Sequence, residues 1–282
     1  MVVVGSSMLY TGYADFWFRH LALPERVARF AELGIHHLDV WAWRSKGALM
    51  DELAAACRAS GSVINSTFDE AAGSLSDAHD LPLCLDAWAE SLERAKRWGV
   101  QHLFMFSEQI DPLPSDGQSR PGFIQGWVKR PARDYTPAQK FANLLEGAAR
   151  VMELVSKTNI SVWFEALNTY HLHGGVTVHT HELAAEVVRR IAHPQLRLAF
   201  DCYHQQRSAG NLIQGLRDYW GLYDSVHIAD VPTRQEPGTG EINFANIART
   251  LQALGFNGKI GLEFYPSSSE AEAMAVVRAL FG

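Results

Sequence analysis

Four residues of metal-ligating type close apolar runs in the second half of the chain. Glu165 ends the run in ISVWFEALN (160–168), Asp201 ends LRLAFD, His227 lies in DSVHIAD and Glu263 in KIGLEFYP. They stand 36, 26 and 36 residues apart, about one strand-plus-helix unit each time. An ionised carboxylate beside an apolar core is costly unless a cation meets it, and several converging acids are usually met by a metal ion. Three carboxylates and one imidazole suit a single hard or borderline divalent ion, Mn²⁺ or Mg²⁺ first, with Co²⁺ and Zn²⁺ as further candidates. Taken singly, a polar residue at a strand end as often caps a helix or pairs with an arginine. Four at matched depth on successive strands argue against that. Two positions back, Ala199, Ser225 and Gly261 are small and leave room for an ion.

Elements of regular length must carry these residues. A first strand is expected over 2–9, with the aromatic segment 10–18 as a loop. Pro24 suits a first helical position, and a helix runs from it to Gly34. Strands follow at 36–43, 62–68 and 100–106, with helices at 48–60 and 83–98 that Gly61 and Gly99 close. Segment 107–135, rich in proline and glycine, is too long for a plain connection and is expected to be functional or an interface. A plain surface excursion competes with that reading. Thr136-Pro137 starts a helix to about 158; further helices fall near 180–193, 211–223, 243–254 and 269–281. Eight apolar strands alternating with eight helices, about 35 residues per unit, predict parallel pairing with right-handed crossovers. Such a chain closes into a (β/α)8 TIM barrel of the α/β class, whose sites lie at the carboxyl ends of the strands. All four candidate ligands fall at that end.

The 282 residues, 47% hydrophobic and 20% charged, are expected to form one barrel domain over 1–282. A net charge of −6, with no long Lys/Arg block, argues against a nucleic-acid partner. Cys57, Cys84 and Cys202 are too scattered for a disulfide framework, which points to a reducing, cytoplasmic setting. MVVVGSSMLY lacks the basic start of a signal peptide, and no run is long and apolar enough for a membrane span.

The strings FEALN, FDCYHQQ, HIADVPTRQEPGTGEINF and IGLEFYP resemble the hydroxypyruvate isomerase-like branch of the xylose isomerase-type sugar isomerases and epimerases. The likeness covers about the last 120 residues, and the first half matches mainly in layout. It implies one divalent metal on Glu165, Asp201, His227 and Glu263, with Glu165 and Glu263 as catalytic acid and base. It also implies substrate contacts from His204, in the D-x-x-H string, and from Arg234. A guanidinium fork matches a substrate carboxylate, although Arg234 also has Glu236 nearby to pair with.

A 2-hydroxy carbonyl compound would chelate such a metal, which as Lewis acid would stabilise an enediolate. One glutamate takes the proton. Its return to the neighbouring carbon isomerises, as from hydroxypyruvate to tartronate semialdehyde or in a 2-oxo-tetronate analogue. Delivery by the opposite glutamate to the other face epimerises, as in a ketose 3-epimerase acting on free ketohexoses. His227 stands where several similar hydroxypyruvate isomerases have Gln and the epimerases have His. The position of the epimerases' acidic contact falls near His171, so the outcome stays open.

Other readings compete. An apurinic endonuclease would need extra histidines, but the third strand ends in NSTF, His102 lies at the wrong end of strand four, and Pro232 replaces one. A binding-only barrel is expected to lose ligands, and all four are present. Trp41, Trp43 and Phe68 are candidate pocket walls, Glu241 a candidate loop anchor. The cluster of His171, His173, His179 and His181 reads as surface rather than as a second metal site, and Cys202 as pointing out of the barrel. The 107–135 insertion is a candidate surface for homo-oligomerisation.

Overall fold

A computed structural model describes residues 8–111, 122–124, 127–170 and 172–282. Eight parallel strands close a barrel: β1 (Leu9–Tyr13), β2 (His37–Asp39), β3 (Val63–Thr67), β4 (His102–Met105), β5 (Ser161–Glu165), β6 (Leu196–Asp201), β7 (Tyr223–Ile228) and β8 (Lys259–Leu262). Neighbours in sequence are neighbours in the barrel, and β1 closes it against β8 with Leu9 beside Lys259 and Gly12 beside Leu262. Among the described residues no helix is long and apolar enough to cross a membrane.

Helices follow where the sequence supplies starts and stops. Thr136 accepts from the Gln139 amide and Gln139 reaches back, a reciprocal cap that starts Pro137–Val155. Thr180 starts His181–Ile191, Asn243 starts Phe244–Leu254, and Ser269 with Glu272 starts Glu270–Phe281. Leu81–Trp98 ends on Gly99 in the left-handed conformation that glycine adopts without strain.

Side-chain alternation decides which way each strand residue points. On β5, Val162 and Phe164 join the large core between barrel and helices, whereas Trp163 joins the smaller cluster with Phe68, Phe104 and Ala199. Glu165 shares the inward face of Trp163. Fully burying side chains such as Phe164, Phe200 and Phe264 contributes roughly 1.5–3 kcal/mol each, and that holds the register that brings the acids inward.

Four elements depart from expectation. The second strand, expected over 36–43, stops at Asp39, and a short helix, Trp43–Lys46, takes up its end. The first strand is Leu9–Tyr13, not 2–9, so residues read as loop form a barrel stave; positions 2–7 lie outside the described residues. The helix expected at 211–223 is Leu212–Asp218, and another, Cys202–Ser208, begins directly at the end of β6. Within 107–135 a small antiparallel ribbon pairs Phe123–Ile124 with Val128–Lys129. Its Trp127 accepts from the Asp111 amide at 2.7 Å, and Lys129 reaches Asp80 at 2.6 Å, so the ribbon is anchored to the barrel top.

Candidate metal centre and substrate pocket

Glu165 and Asp201 are the last residues of β5 and β6, and Glu263 follows β8 directly. His227 on β7 is in register with Asp201 on one side and Gly261 on the other. All four are buried, and one ligand atom from each lies within 4.8 Å of all the others. Ligand atoms about 2.0–2.2 Å from a shared ion lie up to ~4.4 Å apart, so this cluster is close to a coordination sphere. Of the four-histidine cluster, His181 and His173 are buried rather than on the surface, and His171 lies outside the described residues. Among the described residues they form no second group of metal-binding geometry.

The small residues beneath the site do more than leave space. A Cβ on Gly261 would fall 2.6 Å from the His227 ring, so glycine there is what lets the imidazole lie across β8. Ser225 Oγ lies 2.9 Å from His227 Nε2, and Nδ1 lies 3.1 Å from Glu263 Oε2. With Nε2–H donated to the serine, Nδ1 is the atom turned to the carboxylates. The Tyr13 hydroxyl, brought in by the re-registered β1, sits 3.2 Å from the same nitrogen.

Electrostatically the cluster is unbalanced. Burial, reinforced by Glu263 and Asp201, raises the Glu165 carboxyl well above its ordinary range, and burial with Glu263 pushes Asp201 up to about 7. Burial opposes the charge of Glu263 too, but Arg234 and His227 outweigh it and lower its pKa. Three acids against one guanidinium leave two negative charges, those a divalent cation neutralises. Glu165 Oε1 is buried with no hydrogen-bond partner among the described residues, and His204 Nε2 is 4.0 Å away. An unsatisfied buried carboxylate oxygen is expensive, and a metal ion is the group that would satisfy it. These residues can therefore hold such an ion.

Arg234 does not pair with Glu236. Its Nη2 donates to Glu263 Oε1 at 2.5 Å, and its guanidinium lies 4.9 Å from the Tyr203 ring and 5.3 Å from that of Phe16. Glu236 instead accepts from the Ser267 amide at 2.9 Å. His204 Nδ1 accepts from the Asn168 amide at 3.1 Å, which places the ring proton on Nε2, facing Glu165. Burial holds this imidazole neutral, its pKa well below the usual value.

A cavity of about 320 Å³ opens over Glu165, Glu263, His204 and Arg234. Trp41 and Phe68 wall it, as expected; Trp43 instead packs edge-on against Trp98 at 5.6 Å. Ile110 and Trp127 show that the insertion supplies a wall of this pocket. Glu241 is not the anchor of the strand-seven loop. Asp230 is, accepting from the amides of Val231, Gly238, Gly240 and Ile242 at 2.9–3.0 Å. Asp230 stands seven residues before PGTG (237–240), whose free amides need acceptors, and an acid at the start of such a loop is a signal for that role. Asp39 closes β2 with the same acid-after-apolar-run signal, yet Thr11, Asn65 and Ser66 satisfy it and it stands apart from the four ligands. His102, at the opening of β4, stacks on Trp163 at 4.1 Å, away from the site.

The fold and this ring of donors define a class. Residues 27–280 match the family model of the xylose isomerase-like TIM barrel, and the chain belongs to that family. The family signal thus runs well into the first half, beyond the 120 residues that carry the motifs. Curated relatives include a putative hydroxypyruvate isomerase of Danio rerio, 32% identical over 139 residues, 49% of each chain. The hydroxypyruvate isomerase of Escherichia coli K12 is 28% identical over 50% of this chain and 54% of its own length. The 2-oxo-tetronate isomerase of Cupriavidus necator matches at 28%, over the same shares. The chain thus spans about half the length of the curated relatives it matches. Among solved structures, the family 2 AP endonuclease of Brucella melitensis superposes with a TM-score of 0.79 at 20% identity, over 96% of this chain and 98% of that one. D-psicose 3-epimerase of Clostridium cellulolyticum does so with a TM-score of 0.72 at 16% identity, over 97% and 91%. At these identities the likeness is one of fold.

Proposed function

We propose that this chain is a divalent-metal-dependent isomerase of a small 2-hydroxy carbonyl acid, hydroxypyruvate or a 2-oxo-tetronate. The observation that carries it is the buried set of Glu165, Asp201, His227 and Glu263, with ligand atoms within 4.8 Å, beneath a cavity walled by Arg234 and His204. The names of the curated isomerase relatives support the reaction class.

Glu165, Asp201, Nδ1 of His227 and Glu263 would hold Mn²⁺ or Mg²⁺. When bound, the ion supplies Lewis-acid polarisation of the substrate carbonyl and stabilises the enediolate charge. The chain's own groups divide the remaining work. Glu263, kept ionised by Arg234, takes the proton from the carbon between carbonyl and hydroxyl. Glu263 returns that proton to the adjacent carbon, and Glu165, ionised as a ligand, is the second acid–base group, passing the hydroxyl proton between the two substrate oxygens. Neutral His204 donates from Nε2 to a substrate oxygen, and Arg234, whose Nε has no partner among the described residues, holds the substrate carboxylate.

A second reading, ketose 3-epimerase, has one observation in its favour. Glu165 and Glu263 come from β5 and β8 yet reach one cluster, so each can address one face of a single carbon. The test is a turnover screen of hydroxypyruvate, 2-oxo-tetronates and free ketohexoses with Mn²⁺ or Mg²⁺. Conversion of the acids is expected. Turnover of ketohexoses with the three- and four-carbon acids inert would overturn the assignment in favour of the epimerase.

A further inference from the structure

His173 stands in the wall of the cavity without a task in the chemistry above. It is buried, its backbone is left-handed with φ +52°, and its ring centre lies 5.7 Å from that of His204 and 5.8 Å from that of Trp127. It therefore bridges the reacting end of the pocket and the ribbon of the insertion. Its Nδ1 has no hydrogen-bond partner among the described residues. Burial, with Arg234 nearby, lowers its pKa to about 3, so the ring is neutral and suits a hydroxyl rather than a carboxylate. The cavity of about 320 Å³ has room for roughly ten water-sized groups, more than the non-hydrogen atoms of a three-carbon acid.

We propose that His173 is a specificity-determining residue that hydrogen-bonds a hydroxyl on the carbon beyond the reacting pair, so that the site selects four-carbon and longer hydroxy acids over hydroxypyruvate. This rests on the isomerase reading for the placement of the acid's other end. The physical reason is the asymmetry of buried hydrogen bonds. The imidazole already hydrogen-bonds the Asn168 backbone, so a three-carbon substrate leaves only its Nδ1 unsatisfied in an aromatic wall, whereas a longer chain satisfies it. His is among the few residues that tolerate a left-handed backbone, and Asn is another. Replacement by Asn can therefore keep both the loop conformation and a polar partner.

The test reads binding, independently of turnover, on Mn²⁺-loaded protein. Kd values are measured for glycerate, 2,3-dihydroxybutanoate and 2,3,4-trihydroxybutanoate, on wild type, His173→Phe and His173→Asn. Wild type is expected to bind the trihydroxy acid about tenfold or more tighter than its deoxy analogue, in line with one buried hydrogen bond. His173→Phe is expected to bring the two within about threefold with glycerate unchanged, and His173→Asn to restore part of the preference. Equal affinity for the two four-carbon acids in wild type, or a loss in His173→Phe that extends equally to glycerate, would overturn the proposal. Parallel assays separate the two ideas: turnover of hydroxypyruvate with no gain for a 2-oxo-tetronate contradicts the His173 assignment and leaves the isomerase intact. The expected binding pattern without turnover of either acid supports the subsite and contradicts the isomerase.

Discussion

Arg234 and Glu263 meet at 2.5 Å through Nη2 and Oε1, while the other oxygen of the same carboxylate faces His227 Nδ1 at 3.1 Å. One carboxylate therefore links the cavity wall to the candidate ligand cluster. Replacing Arg234 by Lys keeps the charge but loses the planar fork and its fit between Tyr203 and Phe16. A fall in kcat/KM of about 10²–10³ is expected, the scale of losing one preorganised charged donor. Steady-state kinetics on the isomerised acid check it.

On the proposed metal site, Ser225 would act through His227, whose Nε2 lies 2.9 Å from its hydroxyl. Ser225→Ala removes the acceptor at Nε2 and is expected to weaken Mn²⁺ binding by about 10–100-fold with the fold retained. Calorimetric titration with Mn²⁺, alongside a circular dichroism spectrum, reads both.

Gly261→Ala tests the packing that seats the imidazole. The added Cβ, 2.6 Å from the His227 ring, forces the ring or β8 to shift. A destabilisation of about 1–3 kcal/mol is expected, together with loss of tight metal binding. Urea unfolding with and without Mn²⁺ measures each part.

The pH dependence follows from Asp201, whose carboxyl is pushed up to about 7 from an ordinary 3.8 by burial and by Glu263. A carboxyl raised on folding favours the metal-free fold fully below the ordinary value, and that contribution fades as pH rises through about 7. Metal requires the ionised form, so uptake releases protons. The rise in Tm on adding Mn²⁺ is therefore expected to grow between pH 6 and pH 8. A rise that shrinks over that interval would contradict the assignment.

Much of this was legible in the residues. Carboxylates closing apolar runs marked the barrel's upper rim, and the spacing of those runs matched the strand-plus-helix repeat. The first stave was misplaced because 2–4 are valines of high strand propensity, while Tyr10, Gly12 and Tyr13 look like loop; pairing of Leu9 to Gly12 with β8 decides the matter. Asp39 carried the same signal as the four ligands, and only its neighbours Thr11, Asn65 and Ser66 distinguish it. Segment 107–135 offered no periodicity to read, since its role comes from distant partners such as Asp80 and the cavity that Trp127 walls. His173 was hidden for the same reason: loop residues acquire burial only from the tertiary fold.

Glu165, Asp201, His227 and Glu263 are expected to surround a single cation. Equilibrium dialysis against Mn²⁺ with elemental analysis tests it most directly, on wild type and on Asp201→Asn. One ion per chain, lost in Asp201→Asn while the circular dichroism spectrum is unchanged, is the expected result. Wild type free of metal at saturating Mn²⁺, or Asp201→Asn holding the ion as firmly as wild type, would contradict it.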